Sequence, residues 1–176
     1  MPMDEPWWHK DHYSSLSIAA IAVLAVMALL SLLPCTGFCA SPSREEEIAA
    51  KGAKVMPVDL EQTMHHFQPL EDGGPQTVTV KDPSNSIQIA LIQAHLKEET
   101  EKFRRGDFSD PTRIHGENMP GPAALHAGSQ HIEVQYMILP NGAHIRYTTK
   151  DGALITALHQ WFAAQRSDHG HHTVHQ

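Results

Sequence analysis

An α+β fold is what this sequence predicts: duplicated ββα units forming a four-stranded antiparallel sheet with helices on one face, preceded by an N-terminal membrane helix. Three observations predict it. Two strand-turn-strand patterns occur beyond residue 60, an amphipathic helical pattern follows each of them, and a long uncharged apolar run lies near the N-terminus.

Residues 1–14 form a short polar tail in which one lysine, Lys10, stands against the acids Asp4, Glu5 and Asp11. Residues 15–33, "SLSIAAIAVLAVMALLSLL", follow as 19 uncharged residues. At about 1.5 Å rise per residue, such a run nearly matches a bilayer core of about 30 Å. A cleavable signal peptide is the competing reading, but the run is longer than the usual apolar region and "GFCA" puts Phe38 where a small residue is wanted. The expectation is a retained single-pass anchor, with the lipid bilayer as its partner and Trp7, Trp8 and Tyr13 as interface residues. Arg44, Lys51 and Lys54 beyond the run argue for a cytoplasmic C-terminal side. Glu45, Glu46 and Glu47 accompany those cations, and a short tail ahead of one span commonly leaves the main domain exported. The expected placement is therefore the inner membrane with a periplasmic C-terminal domain.

Residues 34–60 read as a linker in which "SPSREEEIAAKG" forms a short helix started by Ser43. Cys35 and Cys39 are the only cysteines, so no disulfide core exists, and their spacing is not that of a CxxC motif. The soluble domain is expected over 61–167. Its first hairpin is "MHHFQPLEDGGPQTVTVKD", turning at Asp72-Gly73-Gly74, and its second is "HIEVQYMILPNGAHIRYTTKD", turning at Asn141-Gly142. In the second, Ile132, Val134, Tyr136 and Ile138 alternate with Glu133 and Gln135, which predicts one core face and one solvent face. Helices are predicted from Ser84 to about Arg105 and from Gly152 to about Arg166. Ile89, Ile92, Leu96 and Phe103 fall in one stripe of the first helix, and Leu154, Ile155, Leu158 and Phe162 in one stripe of the second. Each helix can thus cover the apolar face of a hairpin. Between the units runs "RRGDFSDPTRIHGENMPG", residues 104–121, expected as an ordered connection at a cleft, with "GPAALHAG" as a short helix after Pro120. Residues 168–176 read as a polar, histidine-rich tail.

Chemistry centres on 14 histidines. Imidazole is the commonest metal ligand and the side chain whose charge changes near neutral pH. His115 and Met119 in the connecting loop pair an imidazole with a thioether, a set suited to copper or a haem iron. His95 and His159 take comparable places at the edge of the two helical stripes, and His126 can reach the loop side, so these three are the candidate partners. The tail histidines His169, His171, His172 and His175 bind metals opportunistically. A net charge of −7 and the lack of a basic aromatic stripe exclude nucleic acid as a general partner. No GxSxG elbow, phosphate-binding loop, HExxH or dinucleotide fingerprint is present, so an enzyme is the least expected class.

The segments "GDFSDPTRIHGENMPG", "LPNGAHIRYTTKD" and "ALHQWFAAQRSDHG" resemble a small family of exported bacterial proteins, over roughly residues 55 to 172. Members often carry the label aspartate carbamoyltransferase. The carbamoyl-phosphate loop Ser-Thr-Arg-Thr and the His-Pro-x-Gln segment of that enzyme are absent here, and "DPTR" at Asp110 to Arg113 is its nearest counterpart. The resemblance therefore implies an exported small domain without that activity. Together these readings predict a membrane-anchored domain that binds copper, or haem as a variant, for sensing, buffering or delivery. The alternative is a non-catalytic interaction domain of a membrane complex whose histidines are structural.

Overall fold

The computed structural model describes residues 41–170 and Thr173. The apolar run at 15–33, both cysteines and the tail histidines beyond Gly170 lie outside those residues. Among the described residues no helix is long and apolar enough to cross a membrane.

The chain enters through helix α1, Arg44–Val55. Ser43 caps it in a reciprocal box: Glu46 N–H donates to Ser43 Oγ at 3.2 Å, and Ser43 N–H donates to Glu46 Oε2 at 2.7 Å. Ile48, only 1% exposed, turns this segment inward, and Val58 and Leu60 beyond it are buried too. The stretch read as a linker, 34–60, is therefore part of the folded body from Ser43 onward.

The sheet follows as strands β1, Thr63–Phe67, and β2, Gly73–Val80, then β3, Glu133–Leu139, and β4, Gly142–Thr148. Their order is β1-β2-β4-β3, antiparallel throughout, so the two hairpins meet along β2 and β4. Registered pairs such as His65 with Val78, Val78 with Ala143, and Val134 with Tyr147 put these residues on one buried face. Apart from the buried Gly142, their neighbours along each strand are exposed or half-buried, the two-residue alternation of a sheet covered on one side. Ile138 departs from the expected alternation. It lies on the free edge of the sheet and is 64% exposed.

The two turns use their glycines differently. Gly73 and Gly74 do sit at positive φ, 130° and 146°. Gly142 does not; it is glycine because a Cβ there would lie 2.1 Å from the Val78 carbonyl oxygen across the β2–β4 pairing.

Helix α2, Ser86–Arg104, follows the first hairpin. The connection after it contains α3, Ser109–His115, and α4, Pro122–Ala127, the latter with proline in its first turn. Phe108, Ile114, Met119 and Leu125 anchor this connection in the core, so it is ordered by burial as well as by turns. Helix α5, Gly152–His169, follows the second hairpin. The helices are exchanged relative to the hairpins: α2 packs chiefly on β3 and β4, and α5 on β1 and β2. Each hairpin is covered by the helix of the other unit. Helix α5 also runs past its expected end at Arg166 and carries Asp168 and His169 into the body.

Candidate functional site: a buried histidine cavity

Three helices and the first hairpin line a partly open cavity of about 40 Å³ whose wall mixes apolar and polar side chains. Helix α5 contributes Trp161, Gln165 and His169, spaced by four and therefore aligned one turn apart. Helix α2 contributes His95, Glu99 and Phe103 at the same spacing. Asp110 and His115 come from α3, His65 from β1, and Met56 from the segment after α1. Four imidazoles and two carboxylates thus line a space with room for an ion and one or two waters.

The imidazoles form a contact chain. His65 stacks on His169 with ring centroids 4.9 Å apart, and His169 meets His115 edge to face at 5.1 Å. His115 is set by its other neighbour: its Nδ1–H donates to Asp168 Oδ2 at 2.8 Å, and Arg44 clamps Asp168 through Nε and Nη2 at 3.1 and 2.8 Å. Arg44 also donates to the His115 carbonyl at 2.6 Å. A carboxylate on Nδ1 fixes the tautomer and leaves Nε2 with its lone pair, the arrangement in which histidines bind metals. Burial lowers the basicity of His115 and outweighs the opposing pull of Asp168, so the ring is held neutral. Burial lowers His95 likewise, with the Lys102 charge adding to it. Neutral imidazole is the ligating form.

At the α2–α3 side the carboxylates are unequal. Burial lifts Glu99 to about 7, against the pull of Lys102 and with Asp110 reinforcing the rise. Asp110 stays below the usual carboxylate range despite burial, because Lys102 Nζ at 2.6 Å and Arg113 Nη1 at 2.9 Å hold its charge. Lys102 also donates to Glu99 at 2.9 Å and remains charged. Near neutral pH the cavity wall therefore carries one firmly ionised carboxylate and one that exchanges a proton.

The sequence candidates separate in this geometry. His115 and His95 line the cavity. Met119 is 8% exposed in the core and shares with His115 an adjoining surface cleft, while the thioether that faces the cavity is Met56. His126 donates from Nδ1 to the Gly106 carbonyl at 2.7 Å, and His159 from Nε2 to the carbonyls of Leu70 and Gly73 at 2.9 and 3.1 Å. Those two rings tie loops down outside the cavity. The cavity brings in His169, read from the sequence as a tail residue, and it adds His65, Asp110, Glu99, Gln165 and Trp161. Their one sequence signal was the four-residue spacing of His95 with Glu99 and of Trp161, Gln165 and His169.

Among the described residues no three His, Cys, Asp or Glu side chains already converge on one point as metal ligands. His65 and His169 lie with their planes 22° apart, one ring stacked over the other. In comparisons with known proteins, no family model, curated protein or solved structure matches this chain.

Proposed function

We propose that the protein is a membrane-anchored exported domain that binds a transition-metal ion, copper in preference, in its histidine cavity, for sensing, buffering or delivery. One observation supports the reading: four imidazoles line one small, partly open cavity, and one of them is oriented by a clamped carboxylate. His115 Nε2 is the first ligand, with His169, His65 and His95 as partners reached by rotation of a ring. Imidazoles with the Met56 thioether within reach favour copper or zinc over magnesium and calcium. The cavity is far too small for a haem macrocycle, so the ion itself is the cargo. Anchoring rests on the apolar run at 15–33 and the periplasmic side on the resemblance to exported proteins. The two hairpin-helix units, covering each other on one buried sheet face, are read as copies of one ββα ancestor.

The test uses the full chain in detergent, loaded with copper and exchanged against a weak chelator, with the metal counted per chain. One retained copper is expected, lost in His115→Ala and in His169→Ala. It is kept when His171, His172 and His175 are all changed to serine. No retained copper in the unaltered chain rejects the reading. A fragment ending at residue 167 would be misleading, because it removes a cavity wall.

The second reading, an interaction domain with structural histidines, is favoured by His126 and His159, which are spent on backbone carbonyls, and by Met137 and Ile138, 51% and 64% exposed on the edge strand β3. It predicts a chain that holds copper only through its tail.

A further inference from the structure

The two edges of the sheet are finished differently. Bonds from Val80 N–H to the Asn141 carbonyl and from Thr149 N–H to the Asp72 carbonyl continue the β2–β4 ladder at either end. Bonding alternates along an antiparallel strand, so Ala143, Ile145 and Tyr147 of β4 bond to β2, while Gly142, His144, Arg146 and Thr148 bond to β3. The same alternation turns the backbone groups of Val134, Tyr136 and Ile138 outward from β3, and those of Thr63, His65 and Phe67 outward from β1. On β1, Arg166 donates to the Phe67 carbonyl at 2.8 Å and Thr173 bridges to His65. On β3, Arg104 donates to the Val134 carbonyl at 2.8 Å. Among the described residues nothing pairs with the outward groups of Tyr136 and Ile138. Met137 and Ile138, two of the three large apolar side chains exposed among the described residues, lie on this same edge. No residue from Val134 to Leu139 carries a charge, and a bare, uncharged edge strand is a template on which another strand pairs.

We infer that this edge is a dimer interface: β3 pairs antiparallel with β3 of a second copy about a two-fold axis through Met137, joining two four-stranded sheets into one. A second copy is the occupant because the edge is self-complementary in one register. With Met137 on the axis, Tyr136 stands opposite Ile138 of the other copy, twice over, and the two pairs exchange four backbone hydrogen bonds. An aromatic ring beside a β-branched side chain is a favourable cross-strand pair, and it covers Ile138, which is 64% exposed. The next pair sets Val134 against Pro140. Proline has no N–H to give, and the Val134 carbonyl already has its donor in Arg104. An axis at Tyr136 would instead press the Ile138 N–H onto that occupied carbonyl. Glu133 falls opposite Asn141, so no like charges meet. The contact is small and belongs with weak interfaces. It is independent of any metal in the cavity.

The test uses the full chain in detergent with Cys35 and Cys39 changed to serine. Met137→Cys sets two thiols on a non-hydrogen-bonded pair with Cα atoms about 4.5 Å apart, within disulfide range. Gln135→Cys, on the same face, leaves its two thiols four residues out of step, about 13 Å apart. Under diamide, Met137→Cys should crosslink at least about tenfold faster than Gln135→Cys, and adding Ile138→Lys should slow it by a similar factor. Equal rates at 137 and 135, no crosslink at 137, or a rate that Ile138→Lys leaves unchanged would each overturn the inference. A dimer held together elsewhere in the chain fails the same comparison. Sedimentation of the unaltered chain needs no substitution and should show a dimer at about 100 μM. A monomer at that concentration also overturns the inference.

Discussion

His95 and His159 stand at matching points of the two long helices, and the structure gives them opposite work. His159 on α5 reaches across to the first hairpin and donates to Leu70 and Gly73, closing the loop between β1 and β2. His95 on α2 faces the cavity, and the corresponding tie to the second hairpin falls to Gln93, whose amide donates to the Leu139 carbonyl at 3.1 Å. Tyr136 on β3 returns a bond to the Gln93 carbonyl at 3.0 Å. Each helix thus staples the hairpin of the other unit, but with different residues. A shift of two positions along the helix frees His95 for the interior. Equivalent places in a repeat do not carry equivalent chemistry, because the partner surface decides what a side chain meets.

The exchange of helices can be broken outright, and that is the largest effect expected. The chain cut between Gly106 and Asp107 yields two fragments, one with the first hairpin and α2, the other with the second hairpin and α5. Each leaves its sheet face uncovered, since a two-stranded hairpin has little stability alone. Neither fragment should show cooperative unfolding, and equimolar mixing should restore it, read by circular dichroism against temperature. Independent folding of either fragment would show that a unit covers itself.

Glu99 sharpens the contrast between the two helix stripes, since α5 presents no carboxylate to the cavity. Its folded pKa of about 7 lies above the ordinary 4.5, so the folded chain holds a proton that the unfolded chain has lost. That contribution to stability is fully present below pH 4.5 and is lost as the pH rises through 7. His95, His115 and Asp110 work the other way: their lowered pKa values give stability that is lost as the pH falls. Glu99→Gln removes only the first contribution. The variant should match the parent near pH 4.5 and exceed it by on the order of 2 kcal/mol above pH 7, with the Lys102 bond retained to Asp110. Urea titrations across that range would show it, and a difference that does not grow with pH would place the Glu99 proton elsewhere.

Much of the fold was legible because it rests on local periodicity. The alternation of Val134 and Tyr136, the stripe of Ile92, Leu96 and Phe103, and the Ser43 cap each follow from nearest-neighbour geometry. Which helix covers which hairpin was not legible, since both stripes are equally apolar and only the β2–β4 pairing decides. The cavity was half visible. His115 and His95 stood out as histidines, whereas Glu99 and Gln165 look like ordinary solvent-facing helix residues until three elements enclose them. His169 was read with the tail because polar residues follow it; in the fold it is 4% exposed against His65 and His115. Met119 was chosen for its thioether and its place near His115, yet burial in the core directs it to packing.

The smallest effect concerns the two matched histidines themselves. His159→Ala removes the side-chain donor shared by the Leu70 and Gly73 carbonyls, which keep their backbone bonds to each other's N–H, and should cost about 1 kcal/mol at pH 7, with the copper count unchanged. His95→Ala removes no hydrogen bond that holds a loop and should cost about half as much or less. Its cost should also shrink toward pH 5, because the parent loses there the stability that its neutral, desolvated ring contributes above pH 6.5. Lys102, Asp110 and Glu98 act on that ring from α2 and α3, so the comparison is best made with these three intact. Copper retention should fall in His95→Ala and not in His159→Ala. Each variant therefore reports on one property and spares the other, so the pair distinguishes a ring that holds the fold from a ring that faces the cavity. If both substitutions lower stability and leave copper untouched, the two positions are equivalent after all, and the asymmetry between the units lies in packing alone.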